Sequence, residues 1–324
     1  MRVLITGATG CVGRYIVADL LAAGGYELVL ALRDPARLPP AITAHPGVRV
    51  IVGDLRDLAE RQEAVATIDA AILVATSWGP DADAVIRAAN LALADRLIAA
   101  GCGHVIYFST ASVLRRDGSA LPESVSHGTP YIRAKAELTA GMEARVGKGA
   151  RITGLFPTLV VGGGAARGEP PLSHLARLLR QGAPYIGLLR VLSAAAWFHM
   201  IHAADIATVC RHLLEHPETG GFRVLLGNPV QSLDQTVAAA ARHLGRRHWP
   251  VLALRPWLAE ALIFVLRIRL SPWDRWCMDH PDQSYADPVN PARYGLPVVM
   301  PDTGAALALV GVAGVRRRRT RLRR

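Results

Sequence analysis

Residues 2–13 read RVLITGATGCVG, and the change of character within this stretch decides the fold. Val3-Leu4-Ile5 form a continuous apolar run near its start, as a strand buried on both faces of a parallel sheet requires. The run breaks into Gly7-Ala8-Thr9-Gly10-Cys11-Val12-Gly13, and residues 11–24, CVGRYIVADLLAAG, then read as a helix. Each glycine has a physical task in such a strand–turn–helix unit. Gly7 permits the tight turn, Gly10 lets a pyrophosphate approach the backbone, and Gly13 lets helix and strand pack closely. The first N–H groups of the helix lack intrahelical partners and face the anion. Gly7, Thr9, Gly10, Cys11, Val12 and Gly13 are therefore candidate contacts of a dinucleotide cofactor.

Outward from this unit, apolar runs at 26–33, 48–55, 70–76, 104–110 and 150–160 predict five further strands. Helical patterns separate several of them, at 81–102 and from Tyr131 to about residue 145. Regular alternation of this kind predicts an α/β fold, a doubly wound parallel sheet covered on both faces. The glycine-rich 162–171 breaks the pattern and opens a less regular second half, with four of the six tryptophans between residues 249 and 276. The expected domains are a dinucleotide-binding unit at 1–161 plus about 198–216, and a smaller substrate lobe at 162–197 and 217–324.

The end of the second strand bears on cofactor choice. Ala31-Leu32-Arg33-Asp34 puts a guanidinium where an unmodified adenosine ribose would meet a carboxylate. Arg33, with Arg37 nearby, suits a 2′-phosphate and favours NADP. Asp34 leaves NAD open.

The chemistry is expected from Tyr131 and Lys135, which stand four apart on one helix face. A neighbouring ammonium favours phenolate and is expected to draw the Tyr131 pKa down from about 10. Tyr131 then protonates a carbonyl oxygen or deprotonates an alcohol. Only two of the 37 basic residues are lysines, Lys135 and Lys148, so a generic positive charge in this chain is usually arginine. Phe108-Ser109-Thr110 ends the fifth strand and brings hydroxyls to the same sheet edge.

The formal charge of +11 does not call for nucleic acid. Seven arginines crowd residues 316–324, and without them the chain carries +4. That tail is expected to be a solvated end. Four cysteines without paired spacing, and a start that enters a strand directly, fit a cytoplasmic protein. The apolar stretches at 257–270 and 304–315 are interrupted or too short for the roughly 20 residues of a membrane helix, leaving at most a weak membrane-surface contact. His199 and His202 lack neighbouring ligands, and no metal is expected.

Together, TGATGCVG, GDL (53–55), STASV (109–113), YIRAK (131–135) and IHAADIA (201–207) resemble the extended short-chain dehydrogenases/reductases, NAD(P)-dependent epimerases, dehydratases and reductases with a Rossmann fold. The resemblance spans nearly the whole chain and weakens after about residue 230, although SYADPVNPARYGLP (284–297) still resembles a late segment of the family. It implies Tyr131 as acid/base, Lys135 as its partner and Thr110, just after Ser109, as the hydroxyl on the substrate oxygen. It also implies Asp54 and Leu55 at the adenine, Ala75 and Thr76 along the cofactor, Pro157 beside the nicotinamide, and a homodimer.

Arginines that often meet a sugar nucleotide are replaced by Phe198 and Phe156, and a customary tyrosine by Val161. The segment ALRDPARL resembles the NADP turn of dihydroflavonol and cinnamoyl-CoA reductases. The expected activity is therefore NAD(P)-dependent hydride transfer to or from an apolar small-molecule carbonyl or alcohol. The tryptophan-rich half fits an apolar pocket, although tryptophans more often fill cores, and Trp78, after the fourth strand, is expected either to line the nicotinamide site or to shield a loop. The alternative is an NAD-dependent epimerase or dehydratase acting on a sugar or sugar nucleotide.

Overall fold

Burial sorts the apolar runs into a sheet and the amphipathic stretches into its two coats. In chain order the main elements are β1 (Arg2–Thr6), α1 (Cys11–Ala23), β2 (Glu27–Leu32), β3 (Val48–Val52) and β4 (Ala70–Leu73). There follow α2 (Asn90–Ala99), β5 (His104–Phe108), α3 (Pro130–Glu143), β6 (Arg151–Pro157) and β7 (Leu159–Val161). The second half adds α4 (His174–Gly182), β8 (Met200–His202), α5 (Ala203–Glu215) and β9 (Arg223–Leu226). The computed structural model describes residues 1–164, 166, 168–254, 257, 260, 267 and 270–314. The basic tail at 316–324 and most of the apolar stretch 257–270 lie outside the described residues.

Seven strands pair in parallel in the order β9-β6-β5-β4-β1-β2-β3. Alternation along β1 splits the core in two. Leu4 joins the α2 and α3 residues Leu93, Leu97, Leu138 and Met142 on one face. Val3 and Ile5 join Ile16, Val17 and Leu20 of α1 and Ile206, Val209 and Leu213 of α5 on the other. The chain reverses its direction of growth between β1 and β4, which opens a crevice at the C-terminal ends of those strands.

Several boundaries differ from the sequence pattern. β3 stops at Val52, because Asp54 accepts a hydrogen bond from the Arg56 amide and starts a helical turn at Leu55–Leu58. The helix expected at 81–102 begins as a π-helical stretch, Asp83–Ala89, before α2. The run at 150–160 divides at Thr158, whose amide and hydroxyl both donate to the Leu226 carbonyl at 2.9 Å. β7 then leaves the sheet to pair with β8. β9, in the stretch assigned to the second lobe, completes the sheet as an unforeseen seventh strand.

The IHAADIA segment is a structural joint. His202 caps α5 by accepting from the Ala204 amide at 3.2 Å. Fully buried Asp205 accepts from the amides of Val299 at 2.7 Å and Met300 at 3.3 Å, tying α5 to the late chain. The neighbouring His199 is likewise engaged, between the Asn228 carbonyl and the Tyr285 amide.

Burial holds both His202 and His104 at about 4, below their ordinary 6.5. The unfolded chain takes up these protons near pH 6.5, and the folded chain resists them until about pH 4. Their stabilising contribution is thus complete above pH 6.5 and is lost as pH falls towards 4. The midpoint of urea unfolding is expected to fall across that window. His202→Asn keeps a capping acceptor and makes the decline shallower; an equally steep decline in the variant would refute this origin.

Candidate active site

The glycine turn is built for close approach. Gly7 has φ +73°, and a Cβ there would lie 2.7 Å from the Ala75 nitrogen. A Cβ on Gly13 would lie 2.2 Å from the Gly7 carbonyl oxygen. The Gly10 amide closes the turn on that same oxygen at 2.9 Å. α1 has no side-chain cap and no acidic residue in its first turn, which leaves its leading N–H groups available to an anion.

These groups open on a cavity of about 510 Å³ that runs along the C-terminal edge of the sheet. Gly7, Thr9, Gly10, Cys11, Val12, Gly13, Arg33, Asp54, Leu55, Ala75, Thr76, Thr110, Tyr131, Lys135 and Pro157 all line it. Every site residue expected from the sequence is brought to this one space. Arg37 lines it too.

Beside Arg33, after β2, Asp34 spends its carboxylate on the turn that follows, accepting from the Ala36 amide at 3.0 Å. Asp54 is gripped by the Arg56 guanidinium at 2.9 and 3.0 Å, which holds its carboxyl at about 2 with a lesser contribution from the Arg33 charge. Arg14, a residue the sequence reading missed, is buried and ties together two loops distant in sequence. One Nη donates to the Arg37 carbonyl at 3.2 Å, and the other to the Gly168 carbonyl at 2.6 Å. Its place directly after Gly13 was the available signal.

At the other end, Thr129 caps α3 and Pro130 opens it, so the Tyr131 face is fixed from the first turn. Lys135 is 3% exposed and its Nζ donates to the Phe108 carbonyl at 2.6 Å. Ser109 is structural: its hydroxyl meets Thr139 Oγ1 at 3.0 Å and the Lys135 carbonyl at 3.3 Å. α3 is thereby lashed to the end of β5. Thr110, one residue on, is less buried and lines the cavity.

Two expectations need correction. Burial raises Tyr131 to about 12 and lowers Lys135 to about 7. The ammonium lies 5.8 Å from the Tyr131 ring centre and bonds to a backbone carbonyl, so desolvation outweighs its pull on the phenol. Nor do Trp197, Trp249, Trp273 or Trp276 line the cavity; Trp273 and Trp276 stack on each other instead. Trp78, after β4, does line the cavity, the first of the two places its position in the sequence allowed. Phe156, Phe198 and Val161 are also absent from the lining, and Phe156 and Val161 are buried in the core.

Comparison with known proteins agrees with this geometry. A family model described as the NAD dependent epimerase/dehydratase family matches residues 3–226. The chain is 26% identical to a dihydroflavonol 4-reductase of Hordeum vulgare over 276 residues, which cover 76% of this chain and 74% of that one. The Bordetella bronchiseptica enzyme WbmG in complex with NAD has a similar fold, with a TM-score of 0.66, 17% identity and coverage of 97% of this chain and 96% of that one. Yeast methylglyoxal/isovaleraldehyde reductase Gre2 complexed with NADPH gives 0.59 at 16% identity, covering 78% and 85% of the two chains. The glycine turn, the parallel sheet and the family match lead to one conclusion: this chain belongs to the NAD dependent epimerase/dehydratase family of NAD(P)-dependent enzymes.

Proposed function

We propose that this enzyme is an NADP-dependent reductase of an apolar carbonyl compound. Arg33 and Arg37 at the adenosine end carry the choice of NADP, because Asp34 is already engaged with its own turn. The residues present fit a dinucleotide: an uncapped helix N-terminus at Gly10 for the pyrophosphate, cations for a 2′-phosphate, and Tyr131 with Lys135 at the far end. When bound, the nicotinamide supplies hydride to the carbonyl carbon.

The chain's own groups manage the proton. With its pKa at about 12, Tyr131 carries its hydroxyl proton at neutral pH and delivers it to the substrate oxygen as negative charge develops there. The Thr110 hydroxyl donates a hydrogen bond to that same oxygen and orients it. Lys135, when protonated, stabilises the phenolate left on Tyr131 and presents its remaining N–H groups to the ribose side of the cavity.

A second reading, epimerisation or dehydration of a sugar nucleotide, draws on the family match and on Arg177, a cavity-lining cation suited to a diphosphate. NAD retained through purification, with no net consumption of added cofactor, would favour it. A homodimer through α3 and its neighbouring helix, in the cytoplasm, completes the proposal. Light scattering at the monomer mass would remove the dimer. No helix among the described residues is long and apolar enough to cross a membrane.

Isothermal titration is expected to show NADPH binding at least about tenfold tighter than NADH, with Arg33→Ala narrowing the gap; tighter NADH binding would overturn the cofactor assignment. Tyr131→Phe is expected to lower kcat for carbonyl reduction by about 100-fold or more, while the Kd for NADPH changes little. Full activity in that variant would remove Tyr131 from the chemistry. With Lys135 at about 7 in the free enzyme, kcat/KM for NADPH is expected to hold steady at lower pH and decline above pH 7 as the ammonium is lost. A profile flat to pH 9 would contradict this role.

A further inference from the structure

Trp78 has no evident duty in the fold. It follows the cavity-wall residues Ala75, Thr76 and Ser77, yet it remains 59% exposed. Its indole stacks on the Tyr131 ring with centres 4.1 Å apart and planes inclined by 13°. The His174 ring, from the start of α4, meets it edge-on at 4.9 Å and 66°. Three aromatic side chains from three separate elements thus meet at the rim of the cavity, beside the phenol that must reach the substrate oxygen.

An exposed indole held flat against the proposed acid is poorly explained as core filling. A large apolar side chain left open to water is informative where it forms part of a concave site. A saturated substrate meets this wall through contact alone. A conjugated one adds the preference of aromatic faces for offset or edge-to-face contact.

We infer that Trp78 is a substrate-contacting wall that selects planar, conjugated carbonyl compounds, the class of aromatic aldehydes and ketones, over saturated ones of equal size. This rests on the carbonyl-reduction reading above. The redox step is unchanged: hydride from bound NADPH forms the new C–H bond, the carbonyl π pair takes the Tyr131 proton, and solvent restores that proton.

The test compares benzaldehyde with cyclohexanecarbaldehyde as substrates of the NADPH-supplied enzyme, in wild type, Trp78→Phe and Trp78→Leu. Intrinsic reactivity cancels when the ratio of kcat/KM for the two aldehydes is compared between proteins. Trp78→Leu is expected to lower that ratio by about 3- to 10-fold, while Trp78→Phe keeps it within about twofold of wild type. Equal loss on both aldehydes in Trp78→Leu would mean that the indole only shields Tyr131, and would overturn the inference. Turnover of neither aldehyde by wild type would instead count against carbonyl reduction. The stacking claim is then read from binding of 2-naphthaldehyde in the presence of NADP⁺, which cannot donate hydride. Quenching of tryptophan fluorescence in wild type that is lost in Trp78→Leu upholds it, and identical titrations reject it.

Discussion

The hydrogen bond from Lys135 Nζ to the Phe108 carbonyl, 2.6 Å long and buried, fixes the proposed catalytic helix against the sheet edge. An ammonium is expensive to bury without a partner. The last carbonyl of β5 supplies that partner and in return holds the middle of α3 against the sheet edge. Ser109 and Thr139 repeat the attachment one helical turn further on. With both ends of the turn fixed, Tyr131 faces the same crevice as Thr110 and the glycine loop. The proposed acid is thus positioned by backbone and burial before any ligand arrives.

The same burial explains the electrostatic state of the pair. Lys135 gives up protons near neutrality while Tyr131 keeps its own well above it. The surroundings otherwise favour anions: the open N-terminus of α1, Arg33, Arg37 and Arg177 all line the cavity. A dinucleotide's phosphates meet this field, and its negative charge in turn favours the protonated form of Lys135. In the proposed mechanism, binding and proton delivery are thereby coupled through charge.

Local signals made much of this legible in the sequence. The glycine turn carries its own steric reasons, seen directly in the contacts a side chain would make at Gly7 and Gly13. Tyr131 and Lys135 share a helix face by spacing alone. β9 escaped notice because four residues between glycine-containing turns carry no periodicity to read. Arg14 escaped because its partners are backbone carbonyls at Arg37 and Gly168, distant in sequence and silent in composition. The direction of the Tyr131 shift was misjudged because spacing reveals a neighbouring charge but not the depth at which both groups sit. The tryptophan density after residue 249 marked no cavity wall, and Trp273 and Trp276 stack on each other, whereas Trp78 was legible from its place directly after the fourth strand.

Hydride transfer at the Tyr131 end of the cavity is tested most directly by following the hydrogen itself. NADPH carrying deuterium at the transferred position of nicotinamide C4 is supplied with benzaldehyde, and the alcohol formed is analysed by mass spectrometry. Deuterium bonded to the carbinol carbon, formed by wild type and suppressed in Tyr131→Phe, is the expected result. Alcohol whose carbinol hydrogen comes from solvent, or labelled product formed equally fast without the Tyr131 hydroxyl, would contradict it.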